Sequence, residues 1–424
     1  MSLPQGSLKI GLESLGGSLE LPVKLPLGGR AWDGITGQKL ARLPANKPLR
    51  AVADYASGTV RLRGAGVSVS RPVLVLSGGL AQLGGRRYPG KIRIRLQGSG
   101  LQFINELSIE QYLEGVLPGE IPRSFGMEAQ KALAVAARTY ALVQRGKHGD
   151  YDLCDGTDCQ MYLGYRRSSP RALAAVRATR HLCLWYGDSL VYTFYEADCG
   201  GKSTRIEDVP IRDKPSQPLP YLTIVKDGPE HGPDYCAESE YHHWTKRLAR
   251  QDLEAKLNSS EETYVGRLLE LKVTERDGSG RIASITLRGE VPPPLPPPVP
   301  ADPSNPDGAG SASASGTAPE GAASPVPAPP PVSVPPPGPP GTPVRKTLTG
   351  WRFRRAVGAR TMKSTLVKVD ESQPDLFRFI GSGNGHGLGL CQIGANGMAK
   401  RGFTFRQILA HYYPGTRLAP LPKS

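Results

Sequence analysis

Residues 108–146, SIEQYLEGVLPGEIPRSFGMEAQKALAVAARTYALVQRG, decide the fold class. Ser108 reads as the cap of a short helix passing through Tyr112 and Leu113. After Pro122 a stronger helix is expected over about 126–145, with Leu133, Ala136, Ala137, Tyr140 and Val143 as its apolar stripe and Gly146 as its stop. Its alanines permit close packing against neighbouring elements. Between the two helices the sequence predicts a short loop holding Glu120, hemmed by Gly119, Ile121 and Pro122 and stiffened by prolines on both sides. Apolar neighbours raise a carboxyl pKa by desolvation, which is the profile of a general acid. A surface glutamate in a turn is the plain alternative for one acid among 38.

Upstream of this stretch, 8–10, 60–63 and 91–96 alternate apolar with polar or basic residues at period two, and Gly84-Gly85 and Gly98-Ser99-Gly100 supply turns. A twisted antiparallel sheet or small barrel follows. Downstream, Ser169-Pro170 opens a helix through Arg180, and 182–186 and 190–195 flank Gly187-Asp188 as a hairpin. Further strands are expected at 365–369 and 377–380, a Gly-rich turn at 381–389, and two short helices at 395–401 and 404–412. The fold class is α+β: antiparallel strands with a helical subregion around an active-site cleft, interrupted by a disordered Pro-rich insertion.

The insertion is read from composition. Of 41 prolines in the 424-residue chain, 21 fall in 292–343, which has no aromatic residue and no Lys or Arg. Such a segment cannot bury enough apolar surface to offset its ordering entropy. The domain reading is a β-rich region over 1–84, a catalytic domain over 85–291 and 344–424, and the insertion between its halves. No run of about 18 apolar residues occurs, so no transmembrane segment is expected. The stretch 1–27 shows no continuous apolar core of a secretory signal. The 53 basic and 38 acidic residues leave a charge of +15, which favours polyanions. Lys and Arg are scattered, however, and no nucleic-acid motif appears, so no nucleic-acid partner is expected.

Two further clusters carry chemistry. In 148–162, His148 and the pair Cys154 and Cys159 could supply zinc ligands, while Cys-x4-Cys equally suits a disulfide loop. Cys183, Cys199, Cys236 and Cys391 complete an even set of six. In 381–392, GSGNGHGLGLCQ, dense glycines let a ligand approach the backbone closely, and His386 stands among them as a ligand-facing candidate. The stretch lacks the Gly-Lys-Ser/Thr of a phosphate loop.

Taken in order, these clusters resemble the SpoIID/LytB family over about residues 85–415. The matching stretches are 108–122 continuing into 129–139, Cys159-Gln160-Met161-Tyr162, Gly200-Gly201-Lys202-Ser203-Thr204, Thr349-Gly350-Trp351, 385–395 and 408–413. The resemblance implies a peptidoglycan lytic transglycosylase of the cell envelope, extracytoplasmic, with Glu120 as its catalytic acid and base. Its partners would be peptidoglycan glycan strands and a cell-wall amidase, and no cofactor is required for catalysis. Gln160, Tyr162, His386 and Gln392 are then expected to shape the glycan site. Some family members bind zinc in the second cluster; here Asp158 stands where a second histidine is expected. That departure favours a Cys154–Cys159 disulfide over zinc on His148, Cys154 and Cys159. The same resemblance suggests a Cys199–Cys391 bridge, with Cys236 as a competing partner. The family also implies a rival role, a non-catalytic wall-binding modulator of an amidase.

Overall fold

The computed structural model describes residues 7–165, 169–211, 217–291 and 341–422. The chain divides into two compact units: Met1–Trp244 with Ser382–Ser424, and Thr245–Gly381. The architecture is α+β.

The first unit is built on an 11-stranded sheet. The period-two pattern explains why. In Arg86–Gln97, Ile92 and Ile94 are fully buried while Lys91, Arg93 and Arg95 keep contact with solvent. Antiparallel neighbours Val73–Leu83 and Gly100–Leu107 place Leu76 and Asn105 opposite Ile92, and Leu74 and Phe103 opposite Ile94. A boundary at 84/85 falls in the turn joining two adjacent strands of this sheet. Leu8–Gly11 pairs with Gly100–Leu107 and, in parallel, with Leu153–Cys154, so the sheet edge reaches the second sequence cluster.

Helices pack beside the sheet. Helix α1 spans Ile109–Glu120 and α2 spans Met127–Val143, followed by α3 at Pro170–Ala178. Eleven residues of α2 are buried, mostly alanines, and Arg138 lies among them with no exposure. Its guanidinium binds Glu110 of α1 twice, at 3.0 and 2.7 Å, which locks the two helices in register.

The expected 182–195 hairpin forms only at its tip. Leu182–Tyr186 pairs with Ser189–Leu190 on one side and with Arg417–Pro420 on the other. Residues 192–194 are drawn elsewhere. The Tyr192 N–H binds the Tyr221 hydroxyl, Thr193 Oγ1 donates to Ala136 O at 2.7 Å, and Phe194 O accepts from Leu390 N. Tyr195–Glu196 consequently pairs in parallel with Leu390–Cys391.

The second unit holds α4 (Arg250–Leu257), α5 (Gly350–Val357) and two three-stranded sheets. In one sheet Ile282–Glu290 pairs with Pro343–Thr349, Glu290 opposite Pro343, and Val291 N donates to Thr342 O at 3.0 Å. The chain therefore leaves and returns at one end of a strand pair. Residues 292–340 of the expected disordered insertion lie outside the described residues; 341–343 do not, and Pro343 begins a strand. The first unit closes with α6 (Gln392–Lys400) and α7 (Phe405–Tyr412). No helix among the described residues is long and apolar enough to cross a membrane.

Candidate active site

Glu120 is the last residue of α1 rather than part of a loop. Ser108 and Gln111 form a capping box at the helix start, and the Ile121 N–H bonds Leu117 O at 3.2 Å at its end. The helix persists past Pro118 because its final turns are held from outside. Gly115 and Gly119 leave one face bare, and residues 161–164 lie against it. A Cβ at Gly119 would overlap the Met161 carbonyl, and one at Gly115 would overlap the Tyr162 ring. Leu163 N donates to Gly115 O at 3.2 Å.

This contact delivers the Met161 N–H to Glu120 Oε1 at 2.6 Å. The Gln392 and Tyr195 side chains also face the carboxyl and favour its charged form. Burial pushes the Glu120 carboxyl above its ordinary range, and these three groups offset only part of that rise. Gln160 Nε2 binds the Tyr195 hydroxyl at 2.9 Å and Ala137 O at 3.3 Å, so Gln160 positions Tyr195. The constellation favours a proton on Glu120 more than an ordinary carboxyl would and supports the carboxylate once that proton leaves.

The Gly-rich loop is anchored by a second buried acid, Glu196, whose Oε2 accepts from Gly387 N at 2.5 Å. Gly385 at φ +147° passes so close that a Cβ there would overlap the Glu196 side chain. His386 Nδ1 accepts from Leu388 N at 3.0 Å, which puts the proton of the neutral ring on Nε2. Its ring meets Phe194 edge-on at 6.2 Å; Phe194 in turn meets Tyr140, and Tyr140 meets Tyr195. His386 thus joins the Glu120 group through an aromatic chain.

Of the residues expected at the site, Glu120, Gln160 and Gln392 come together, and His386 connects to them indirectly. Tyr162 does not. Its ring is fully buried, packs 5.1 Å from Tyr112 and 6.0 Å from Tyr88, and its hydroxyl donates to Asn105 Oδ1 at 2.7 Å. It is a core residue that helps seat 161–164 on α1. Tyr195 and Glu196 are the residues the sequence reading passed over. The signal for them was the run Tyr195 to Cys199, ending at Gly200-Gly201.

All six cysteines are buried and none is in a disulfide. The expected Cys154–Cys159 and Cys199–Cys391 bridges are not formed. In the first group His148 Nε2 lies 3.1 Å from Cys159 Sγ, and Cys159 Sγ accepts the Cys154 N–H at 3.2 Å. The hydrogen bond between the two thiols lowers Cys154 to about 7, and together with burial it raises Cys159. Ligand atoms of His148, Cys154, Asp158 and Cys159 lie within 4.8 Å of one another. One nitrogen, two sulfurs and one oxygen are donors of the kind zinc takes. Lys147 Nζ, 3.0 Å from Asp158 Oδ2, competes for the carboxylate.

Comparison with known proteins bears on the same region. A family model described as SpoIID, stage II sporulation protein, matches residues 97–186, which include α1, α2 and the first cysteine pair. The Bacillus subtilis amidase enhancer is 30% identical over 328 residues, spanning 72% of this chain and 40% of that protein. The chain belongs to the SpoIID family. Bacillus subtilis stage II sporulation protein D is 23% identical over 336 residues, 75% of this chain and 76% of the relative. An uncharacterized protein of Brachyspira hyodysenteriae is 27% identical over 344 residues, 78% and 72% of the two chains. Within this SpoIID-family chain, Tyr195 and Gln392 lie beyond the span of the family model and reach Glu120 only through the fold.

Proposed function

We propose that this protein has a cell-wall role and acts as a peptidoglycan lytic transglycosylase on glycan strands stripped of stem peptides. The observation that carries the reading is Glu120: a desolvated carboxyl of raised pKa that accepts from Met161 N–H and whose charged form the Gln392 and Tyr195 side chains favour. As an acid it protonates the oxygen linking MurNAc to GlcNAc. As a base it then takes the proton from the MurNAc C6 hydroxyl, whose oxygen closes the 1,6-anhydro ring. One carboxyl serves both steps, where hydrolytic glycosidases use two. Met161 N–H, Tyr195 and Gln392 stabilise the carboxylate between the steps. The reaction calls on no cofactor. His148, Cys154, Asp158 and Cys159 are the residues that would hold a zinc ion, clamping the turn that leads into Gln160 and Met161. The charge of +15 suits an extracytoplasmic protein on an anionic wall.

A second reading is favoured by the amidase enhancer relative: a non-catalytic modulator that holds glycan for a cell-wall amidase, with Glu120 as a hydrogen-bond acceptor only. Digestion of purified glycan strands, with and without stem peptides, separates the two. Products ending in 1,6-anhydroMurNAc from wild type and not from Glu120→Gln support the transglycosylase. Binding by both proteins with cleavage by neither gives the role to the modulator.

A further inference from the structure

Behind the strand pair that carries Tyr195 and Leu390, four side chains from three segments of the first unit converge: Asp198, Cys199, Cys236 and Cys391. None is more than 1% exposed. Three sulfurs and a carboxylate oxygen all lie within 4.8 Å of one another. Cys199 and Cys236 sulfurs stand 3.9 Å apart. A disulfide requires about 2.05 Å. Thiolates held about 2.3 Å from a tetrahedral zinc stand about 3.8 Å apart. The spacing is that of ligands around a shared centre.

Backbone N–H groups and a histidine face several of these ligand atoms. Cys391 caps α6, its sulfur accepting from Gly394 N at 3.2 Å and from Cys199 N at 3.3 Å. Cys236 Sγ is 3.4 Å from His242 Nδ1, and His242 Nε2 is 3.4 Å from Asp234 Oδ2, a donor chain of the kind that orients metal thiolates. Asp198 Oδ1 accepts from Gly200 N at 2.7 Å, but Oδ2 is buried with no hydrogen-bond partner. Among the described residues, Asp198 Oδ1 accepts from a backbone N–H and its Oδ2 meets no Lys, Arg or His. A carboxylate oxygen stripped of water beside three sulfurs is stabilised either by a proton or by a cation, and a metal ion bound to the sulfurs supplies the cation.

We propose that Asp198, Cys199, Cys236 and Cys391 form a closed structural zinc site, separate from the His148 group. Three thiolates are one short of the four that hold an iron–sulfur cluster. The hard carboxylate oxygen favours zinc over copper(I). The site joins the end of the Tyr195–Glu196 strand, the 227–243 segment and the start of α6. It does not depend on the catalytic reading.

The test uses the full chain purified with reductant and without chelator, its metal content read by mass spectrometry. A Cys154→Ser/Cys159→Ser background removes the other thiol pair. That protein is expected to retain about one zinc per chain, as a closed site does, and adding Cys236→Ser is expected to remove it. Cobalt(II) exchanged into the background protein reads the site without a cluster variant. It should give the visible bands and sulfur-to-cobalt charge transfer of a tetrahedral thiolate site. A metal-free background protein with no cobalt signature overturns the proposal. So does a peptide map of fresh protein showing a disulfide among Cys199, Cys236 and Cys391.

Discussion

Two regions of the first unit meet at Glu120 and are built on different principles. The near region, 108–165, is local: a helix, its glycine-lined face, and the segment that lies on it fewer than 60 residues later in the chain. The far region joins 194–201 to 383–394 by parallel pairing of Tyr195 with Leu390 and Glu196 with Cys391. The near region supplies the carboxyl and one backbone donor; the far region supplies the side-chain donors Tyr195 and Gln392. Each also carries a cysteine group: the near one reaches the surface through Asp158, while all four residues of the far one are buried. The acid is thus set by local packing, and its partners by long-range pairing.

If both regions serve one proton-transfer group, Glu120→Gln has the largest effect. Glycan cleavage should fall by about 10²–10⁴, the usual contribution of general acid–base catalysis, with the circular dichroism spectrum unchanged. An undiminished rate would remove Glu120 from the chemistry. Gly119→Ala tests the near region alone. Helix propensity predicts a gain of up to about 1 kcal/mol for this change. Overlap with the Met161 carbonyl predicts a loss of about 1–3 kcal/mol, because 161–164 must shift. Overpacking should win, so urea unfolding should show a less stable protein that is also slower. A stabilised variant would mean that the 161–164 segment moves freely.

How far each region could be read from sequence follows the same division. The period-two strands and the alanine-rich α2 were legible because their patterns are local and strong. Glu120 was legible as a residue, but its helical setting was not: Pro118 signals a break, and only the packing of 161–164 on Gly115 and Gly119 overrides it. Tyr162 was misplaced because its hydroxyl partner, Asn105, lies 57 positions upstream. Tyr195 looked like the end of a hairpin strand; its pairing with Leu390 is a contact that no local pattern encodes. The His148 group showed itself by close spacing. The Asp198 group could not, since Cys199 and Cys391 are 192 residues apart.

Tyr195→Phe sharpens the far region's share. Losing one hydrogen bond to a charged group costs about 1.5 kcal/mol, so kcat/KM should fall about tenfold. The same hydroxyl lowers the Glu120 pKa, so its removal should move the alkaline limb of the pH–rate profile to higher pH. A tenfold loss with an unmoved limb would mean that Tyr195 binds substrate and leaves the acid alone.

The smallest effect is on stability. Glu120 has a folded pKa above the ordinary glutamate value of 4.5, so between the two values the folded protein binds more protons than the unfolded chain. Stability then falls as pH rises through that window and stays lower above it. Gln at this position does not titrate. The stability of Glu120→Gln minus that of wild type should therefore grow as pH rises from 4.5, levelling off above the folded pKa. Three donors to the carboxylate limit the size of the gain, because each recovers part of the desolvation cost. In Tyr195→Phe one of those donors is gone, so the same subtraction made in that background should give a larger gain. A difference that stayed flat with pH in both backgrounds would show that Glu120 titrates as it does in the unfolded chain, and that neither region perturbs it.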